Sequence, residues 1–236
     1  MRLYHDSFSI PIFFEENIHN VLVVENPTVL SNYILELKDQ ISGFKGNFIF
    51  SDKKDDEELE GNVCLIVDPF SLNLNSKEFI SKLNENLKKE LLQPEYAYQI
   101  EELNQKISKI LGEISLSQSM LINYDCEFSP TSLLKISNVF IESTDSSLLN
   151  HICNYLELSS AYLGKKLYIF VNLKQFLSEK EVSLFYDYLD YNKIDVLLLE
   201  SHYTSSVRET VKIIDQNLCE INIHSKISNN NGPFEV

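Results

Sequence analysis

The sequence predicts an α/β protein, a parallel sheet built from both ends of the chain and interrupted by a helical segment. Three observations carry that reading. Two apolar runs, LYIFV (Leu167 to Val171) and DVLLL (Asp195 to Leu199), flank one amphipathic stretch, the pattern of a crossover unit in a buried parallel sheet. Strand-like and helix-like segments alternate up to Val67, as α/β folds require. From Ser76 to Leu163 the apolar spacing is helical, with Gly112 as the single glycine. The division read from this is a head in two parts, 1–75 and 164–236, around a helical leg, 76–163.

The elements follow in order. VLVV (Val21 to Val24) is a short apolar run and reads as a buried strand. Val29, Tyr33, Leu37 and Ile41 then recur every four residues, which makes one helix face, and Gly43 and Gly46 end it. Asn47 to Phe50 reads as a strand and the charged run Ser51 to Asn62 as a loop. VCLIV (Val63 to Val67) is a third buried strand, stopped at Asp68-Pro69 because proline cannot donate to a ladder. In the leg, Phe79, Leu83, Leu87 and Leu91 repeat at helical spacing until Pro94. Ile100, Leu103, Ile107, Ile110 and Ile114 alternate spacings of three and four. That seam predicts a helix packed lengthwise on another helix, and it is too short for a free coiled coil. Leu148, Ile152, Tyr155, Leu156 and Tyr162 form a further helical face. After Leu167 to Val171, Ser178 and Glu181 fit a capping box, and Val182, Phe185 and Leu189 form that helix's inward face. Asp195 to Leu199 and Cys219 to Ile223 complete the strands, and the polar tail after them is expected to fray.

Composition narrows the function. The net charge is −15, from 35 Asp and Glu against 20 Lys and Arg. Nucleic-acid binders usually carry a basic footprint, so a DNA-binding reading requires the few cations to be concentrated on one surface. There is no run of about 18 apolar residues to cross a membrane, and the first residues lack the cleavage pattern of a signal peptide. The four cysteines are far apart and form no C-x-x-C; three sit among apolar residues and read as small core hydrophobes. All of this fits a reducing cytoplasm and a cytoplasmic protein.

The chemistry that is missing is informative. Phosphate-binding folds place a glycine-rich turn between the first strand and its helix. That place here reads VVENPTVLSNY, with neither Gly nor Lys, so no nucleotide is expected to bind. Asp68 stands at a strand end, where a magnesium ligand lies in such folds, but without a phosphate loop it reads as the cap of the next turn. His5, His19, His202 and His224 fall near polar or loop segments, and His151 on a helix reads as a surface or packing residue. There is no G-x-S-x-G elbow. Asp125 and Glu127, two apart in NYDCEFSP, fit either a solvated loop or two carboxylate ligands of calcium, with Asn123 as a third oxygen donor. Asp55 to Glu58 read as a solvated loop tip. Lys53-Lys54, Lys88-Lys89 and Lys165-Lys166 are paired cations; such pairs usually face solvent, but a multimer can sum them around a pore.

Three segments, VLVVENPTVLSNYI, LIVDPFSLNLNSKEFI and KKLYIFVNLKQFLSEKEVSLFYDYLDYNKIDVLLLE, together resemble the short form of the Csn-two family, the CRISPR-associated adaptation proteins of type II-A systems. The strongest words are K-K-L-x-I-F-V-N from Lys165 to Asn172, the F-L-S-x-x-E-V that follows, and D-x-x-x-x-x-x-N-S from Asp68 to Ser76. The resemblance implies a head-and-leg subunit whose head is a degenerate P-loop-NTPase-like sheet without its nucleotide site. It also implies a homotetrameric ring that encircles double-stranded DNA and binds its ends, with calcium setting the leg orientation. Carried over residue by residue, it assigns Lys53, Lys54 and Lys135 to DNA phosphates and Asp125 and Glu127 to calcium. The partners it implies are the spacer integrase and the RNA-guided effector nuclease.

The expected function is therefore non-catalytic, sequence-independent binding of double-stranded DNA ends during spacer acquisition. Two other classes stay open at this point. One is a degenerate nucleotide-fold enzyme with residual ATPase or phosphatase activity and a metal on Asp68. The other is a scaffold whose seam helix only assembles subunits.

Overall fold

The computed structural model describes residues 1–52, 55–120, 122–124, 128–142, 147–204 and 208–223. It divides the chain into two compact units, one of 1–72 with 144–236 and one of 73–143.

The first unit is mixed α/β with a largely parallel sheet. In chain order it contains β1 (Arg2–His5), β2 (Ile12–Phe13), β3 (His19–Val24), α1 (Pro27–Ile41), β4 (Phe48–Asp52), β5 (Asp55–Glu57) and β6 (Val63–Ile66). The second unit follows with α2 (Lys77–Leu91), α3 (Pro94–Leu116) and α4 (Pro130–Ser137). The chain returns to the first unit with α5 (Leu148–Leu158), β7 (Leu167–Val171), α6 (Glu179–Asn192), β8 (Asp195–Glu200), β9 (Glu209–Ile214) and β10 (Glu220–Ile223). The large sheet has the order β10-β9-β3-β8-β7-β6, and only β10 runs antiparallel. A smaller antiparallel sheet has the order β2-β1-β4-β5.

Period-two alternation of the central strands divides the core into two layers. On one face Leu22, Val24, Leu197 and Leu199 meet Tyr33 and Leu37 of α1 and Leu3, Phe48 and Phe50 of the small sheet. On the other, Val21, Val23, Leu198 and Phe170 meet Ile152 and Leu156 of α5 and Phe185 and Leu189 of α6. The crossover read from Leu167 to Leu199 is as predicted: β7 and β8 pair in parallel around α6, and Ser178 and Glu181 form the capping box.

Several expectations need correction. The sequence places the helical face Leu148 to Leu156 in the leg, but Ile152 and Leu156 are fully buried against the large sheet. The change of unit falls near residue 144 rather than 163. Helical periodicity alone does not say which partner a helix covers. The acidic run after Ser51 is not all loop, since Phe50 pairs with Glu57 and Ser51 with Asp56. The acids fit there because β5 edges its sheet, with Asp56 accepting from Ser51 Oγ (2.6 Å) and Glu57 from Lys166 Nζ (2.6 Å). The sequence reading missed β1, β2 and β9. His19 is no loop residue; it begins β3, is buried, and stacks on Tyr186 at 3.9 Å.

Candidate nucleic-acid interface

The second unit is held by polar clamps as much as by apolar burial. Ser76 caps α2 by accepting from Phe79 N, Pro94 opens α3, and Ser129 with Ser132 forms a capping box on α4. Asn104 is bonded twice to the backbone of Phe128: its Nδ2 donates to the carbonyl (3.2 Å), and its Oδ1 accepts from Phe128 N (2.8 Å). Asn75 binds Ile141 in the same two-way fashion, at 2.9 and 2.7 Å. Tyr124 OH donates to Ser108 O (3.0 Å) and Ser115 Oγ to Ile122 O (3.1 Å), so the returning chain lies along α3.

Both units are acidic. Residues 73–143 contain seven lysines and ten carboxylates, a net of −3, and the remainder of the chain carries 13 cations against 25 carboxylates, a net of −12. All seven lysines of the helical unit are exposed. Lys82 pairs with Glu85 and Lys106 with Glu102. Lys77, Lys88, Lys89, Lys109 and Lys135 have no carboxylate among the described residues within 4.0 Å. Lys135 stands in the last turn of α4, where a cation complements the helix dipole.

The seam of α3 is open. No residue of this 23-residue helix is buried. Leu103, Ile110 and Ile114 are 39%, 56% and 51% exposed, while Ile100 and Ile107 are half-buried. The predicted lengthwise partner is therefore not supplied across most of the seam by the described residues of the subunit.

The α/β unit is the opposite case. In an open sheet, ligands bind outside the carboxyl ends of the strands, where neighbouring connections leave in opposite directions. That point lies between β3 and β8, whose connections run toward β6 and β9. Only Glu25 and Asn26 separate β3 from α1. Asn26 Oδ1 accepts from Thr28 N (3.1 Å) and Val29 N (3.3 Å), Pro27 has no N–H, and Leu30 N donates to Asn26 O. The first turn thus has no amide left for a phosphate. Gln216 Nε2 donates to Glu25 O (2.6 Å), which ties the turn to the β9–β10 connection. At the end of β7, Asn172 lies at φ 52° and accepts from Ser201 N (2.8 Å). Asp68 caps its own turn by accepting from Phe70 N (2.9 Å), as the sequence suggested.

Behind this edge is a buried polar network that the sequence reading did not find. Glu200 accepts from Lys174 N (3.1 Å), and Lys174 Nζ donates to Glu209 (2.9 Å) and Thr204 O (3.1 Å). Tyr186 OH donates to Glu209 (2.6 Å). Burial pushes the Glu200 carboxyl up to about 7. Burial, with the Glu209 charge beside it, raises Tyr186 far above the usual phenol range, so it stays a donor. Arg208 binds Asp187 and Asp190, and Lys212 binds Glu220. These cations are engaged in structure. The available signals were Glu200 closing DVLLL and Lys212 inside ETVKII, charges within apolar runs where only paired charges are tolerated.

Of the predicted site residues, Lys135 is an exposed lysine with no ion pair among the described residues. Lys53, Lys54, Asp125 and Glu127 lie outside the described residues. Among the described residues no group of three or more His, Cys, Asp or Glu is arranged to hold a metal ion. No described helix is long and apolar enough to cross a membrane.

The family model described as CRISPR-associated protein (Cas_Csn2) matches residues 40–218, which spans parts of both units. The chain belongs to the Csn2 family. A CRISPR-associated protein Csn2 of Enterococcus faecalis is 28% identical over 137 residues, 58% of this chain and 62% of that relative's length. A second Csn2, of Streptococcus agalactiae, is 22% identical over 196 residues, 77% of this chain and 87% of that protein. Among solved structures, the ADP conformation of an ATP-binding cassette of an ABC transporter aligns with TM-score 0.39 and 12% identity, covering 86% of this chain and 79% of that one. A nucleotide-free cassette aligns at 0.42 and 12%, covering 93% and 86%. Both alignments are too loose to carry an argument. The matched span includes β4 through β9, with α2, α3 and α4 of the 73–143 unit.

Proposed function

We propose that this Csn2-family chain is a non-catalytic, ring-forming protein that binds the ends of double-stranded DNA without reading sequence, in the acquisition of CRISPR spacers. The observation that carries the proposal is the helical unit, with five exposed lysines free of ion pairs among the described residues and an uncovered heptad seam. Free surface cations suit phosphate contacts, which are indifferent to base identity. A seam exposed in the subunit suits burial against a second copy, and a homotetramer closes the set.

Lys53, Lys54 and Lys135 are the phosphate contacts of this reading, and calcium on Asp125 and Glu127 orders the helical unit. The spacer integrase and the RNA-guided effector nuclease are its protein partners, in the cytoplasm. The α/β unit is a degenerate P-loop-like sheet; the consumed amides at the start of α1 support that, because a phosphate finds no donor there. The same closure, with Asp68 capping its own turn, weighs against a residual ATPase.

The test is a salt titration of DNA affinity. Each phosphate contact adds about 0.9 to the slope of log K against log salt. Lys135→Ala is expected to lower that slope by about 0.9 on every duplex sequence alike. An affinity unchanged from low to high salt would remove the phosphate contacts from the account.

A further inference from the structure

We infer that a cavity of about 170 Å³ beneath the β2 segment binds a neutral, single-ring molecule that presents one N–H or O–H donor. Its floor is the face of the large sheet that also carries Leu22 and Ile214. On that face Asn20 of β3 sits beside Thr210 of β9, and Lys212 is paired across to Asn222 of β10. Its walls are Ile10, Ile12, Phe13 and Ile18.

The chemistry follows from what each floor residue has left to offer. Asn20 is 3% exposed. Its Nδ2 donates to Phe13 O (3.0 Å), which fixes the amide's orientation and turns Oδ1 into the free acceptor. Neither that Oδ1 nor the Thr210 hydroxyl has a hydrogen-bond partner among the described residues. Both groups therefore face the cavity as open acceptors, and a ligand donor can exchange water for a direct hydrogen bond to the oriented Asn20 amide. Lys212 is also buried, but its ammonium is held by Glu220 and Asn222 and lies 5.5 Å from the centre of the Phe8 ring. The one cation at the floor is thus neutralised, and Glu15 stands among the lining residues, so an anion gains nothing here. Apolar walls and two convergent polar groups are the usual make-up of a small-molecule site. A dry cavity of about 150 Å³ accepts a benzene-sized ring, which sets the ligand at one ring and excludes a nucleotide.

The test uses fluorine NMR titration of the full chain with 4-fluorophenol, fluorobenzene and 4-fluorobenzoate. The expected result is saturable binding of 4-fluorophenol, with fluorobenzene weaker by roughly five- to tenfold for want of the donor, and no binding of the benzoate. Thr210→Val keeps the shape and removes the hydroxyl, and is expected to weaken 4-fluorophenol by a few fold. Ile10→Trp fills the cavity from a residue 51% exposed, so the fold is retained, and binding is expected to vanish. Absence of saturable 4-fluorophenol binding, or binding that survives Ile10→Trp, overturns the inference; so does a preference for the benzoate.

Discussion

The two units of this chain handle charge and apolar surface in opposite ways. In the α/β unit the internal cations are engaged: Lys174 with Glu209, Lys212 with Glu220, Arg208 with Asp187 and Asp190, Lys166 with Asp52 and Glu57. The strand-end crevice is closed by Asn26 and Asn172. In the helical unit five lysines are unpaired among the described residues, and a 23-residue helix buries none of its side chains. Cations held by buried or half-buried carboxylates are not available to a partner's phosphates, although Lys38, Lys45 and Lys180 of this unit are exposed without an ion pair among the described residues. A unit with open cations and an open seam is built to be completed. The difference teaches that the net charge of −15 is a poor guide to binding, because it does not show which cations are already held by a carboxylate inside the fold.

The largest effect is expected from opening the closed unit. Lys174→Met leaves Glu209 buried without its cation, and removing one partner of a buried pair costs about 3–5 kcal/mol. Lys135→Met, on the exposed end of α4, is expected to change stability by less than about 0.5 kcal/mol. Urea unfolding of the two variants checks the contrast, and equal losses would break it.

Next in size is the seam. Ile110→Glu places a charge at a position 56% exposed in the subunit, so the subunit is expected to fold with an unchanged circular dichroism spectrum. Self-association, followed by sedimentation, is expected to fall by at least tenfold, since a buried unpaired carboxylate in a helix–helix contact costs more than about 1.4 kcal/mol. Undiminished assembly would move the contact away from α3.

A pH dependence from the buried groups tests the closed unit in a second way. Glu200 has its pKa raised to about 7 by burial. The folded state therefore holds its proton where the unfolded chain has lost it, and this group's contribution to stability falls as pH rises from the ordinary carboxylate range to about 7. His19 is lowered to about 4 by burial against the pull of Asp190. The unfolded chain holds that proton up to about 6.5, so stability rises with pH over 4 to 6.5. The two slopes oppose each other over most of that window. Glu200→Gln removes the falling one and is expected to expose a rise in stability between pH 4 and 6.5, of at most about 3 kcal/mol. Denaturation midpoints across that range check it, and an unchanged profile in the variant would contradict the burial of charge at Glu200.

Much of the fold was legible in the residues. Continuous apolar runs read as buried strands, and Leu167 to Leu199 with its Ser178 and Glu181 cap gave the crossover unit as found. The strands that escaped carry little apolar signal or carry charge: β5 is DDE, and β9 carries Glu209 and Lys212. Their side chains sit in a strand because long-range partners neutralise them, and such partners do not show in a local pattern. The helix Leu148–Leu158 was recognised but attached to the wrong unit, since a period of 3.6 gives a face and not a neighbour. For the site, the sequence pointed to lysines in pairs. What it did not reveal was which cations are engaged, a property of tertiary contact.

The measurement that bears most directly on the central claim is binding of linear against covalently closed circular duplex DNA of one sequence, at fixed low salt, with calcium and with chelator. The account predicts that the linear duplex binds, the circle does not, and the chelator weakens the linear complex. Equal binding to the circle would contradict threading over an end and leave an open groove. No binding to either would leave the helical unit as an assembly device alone.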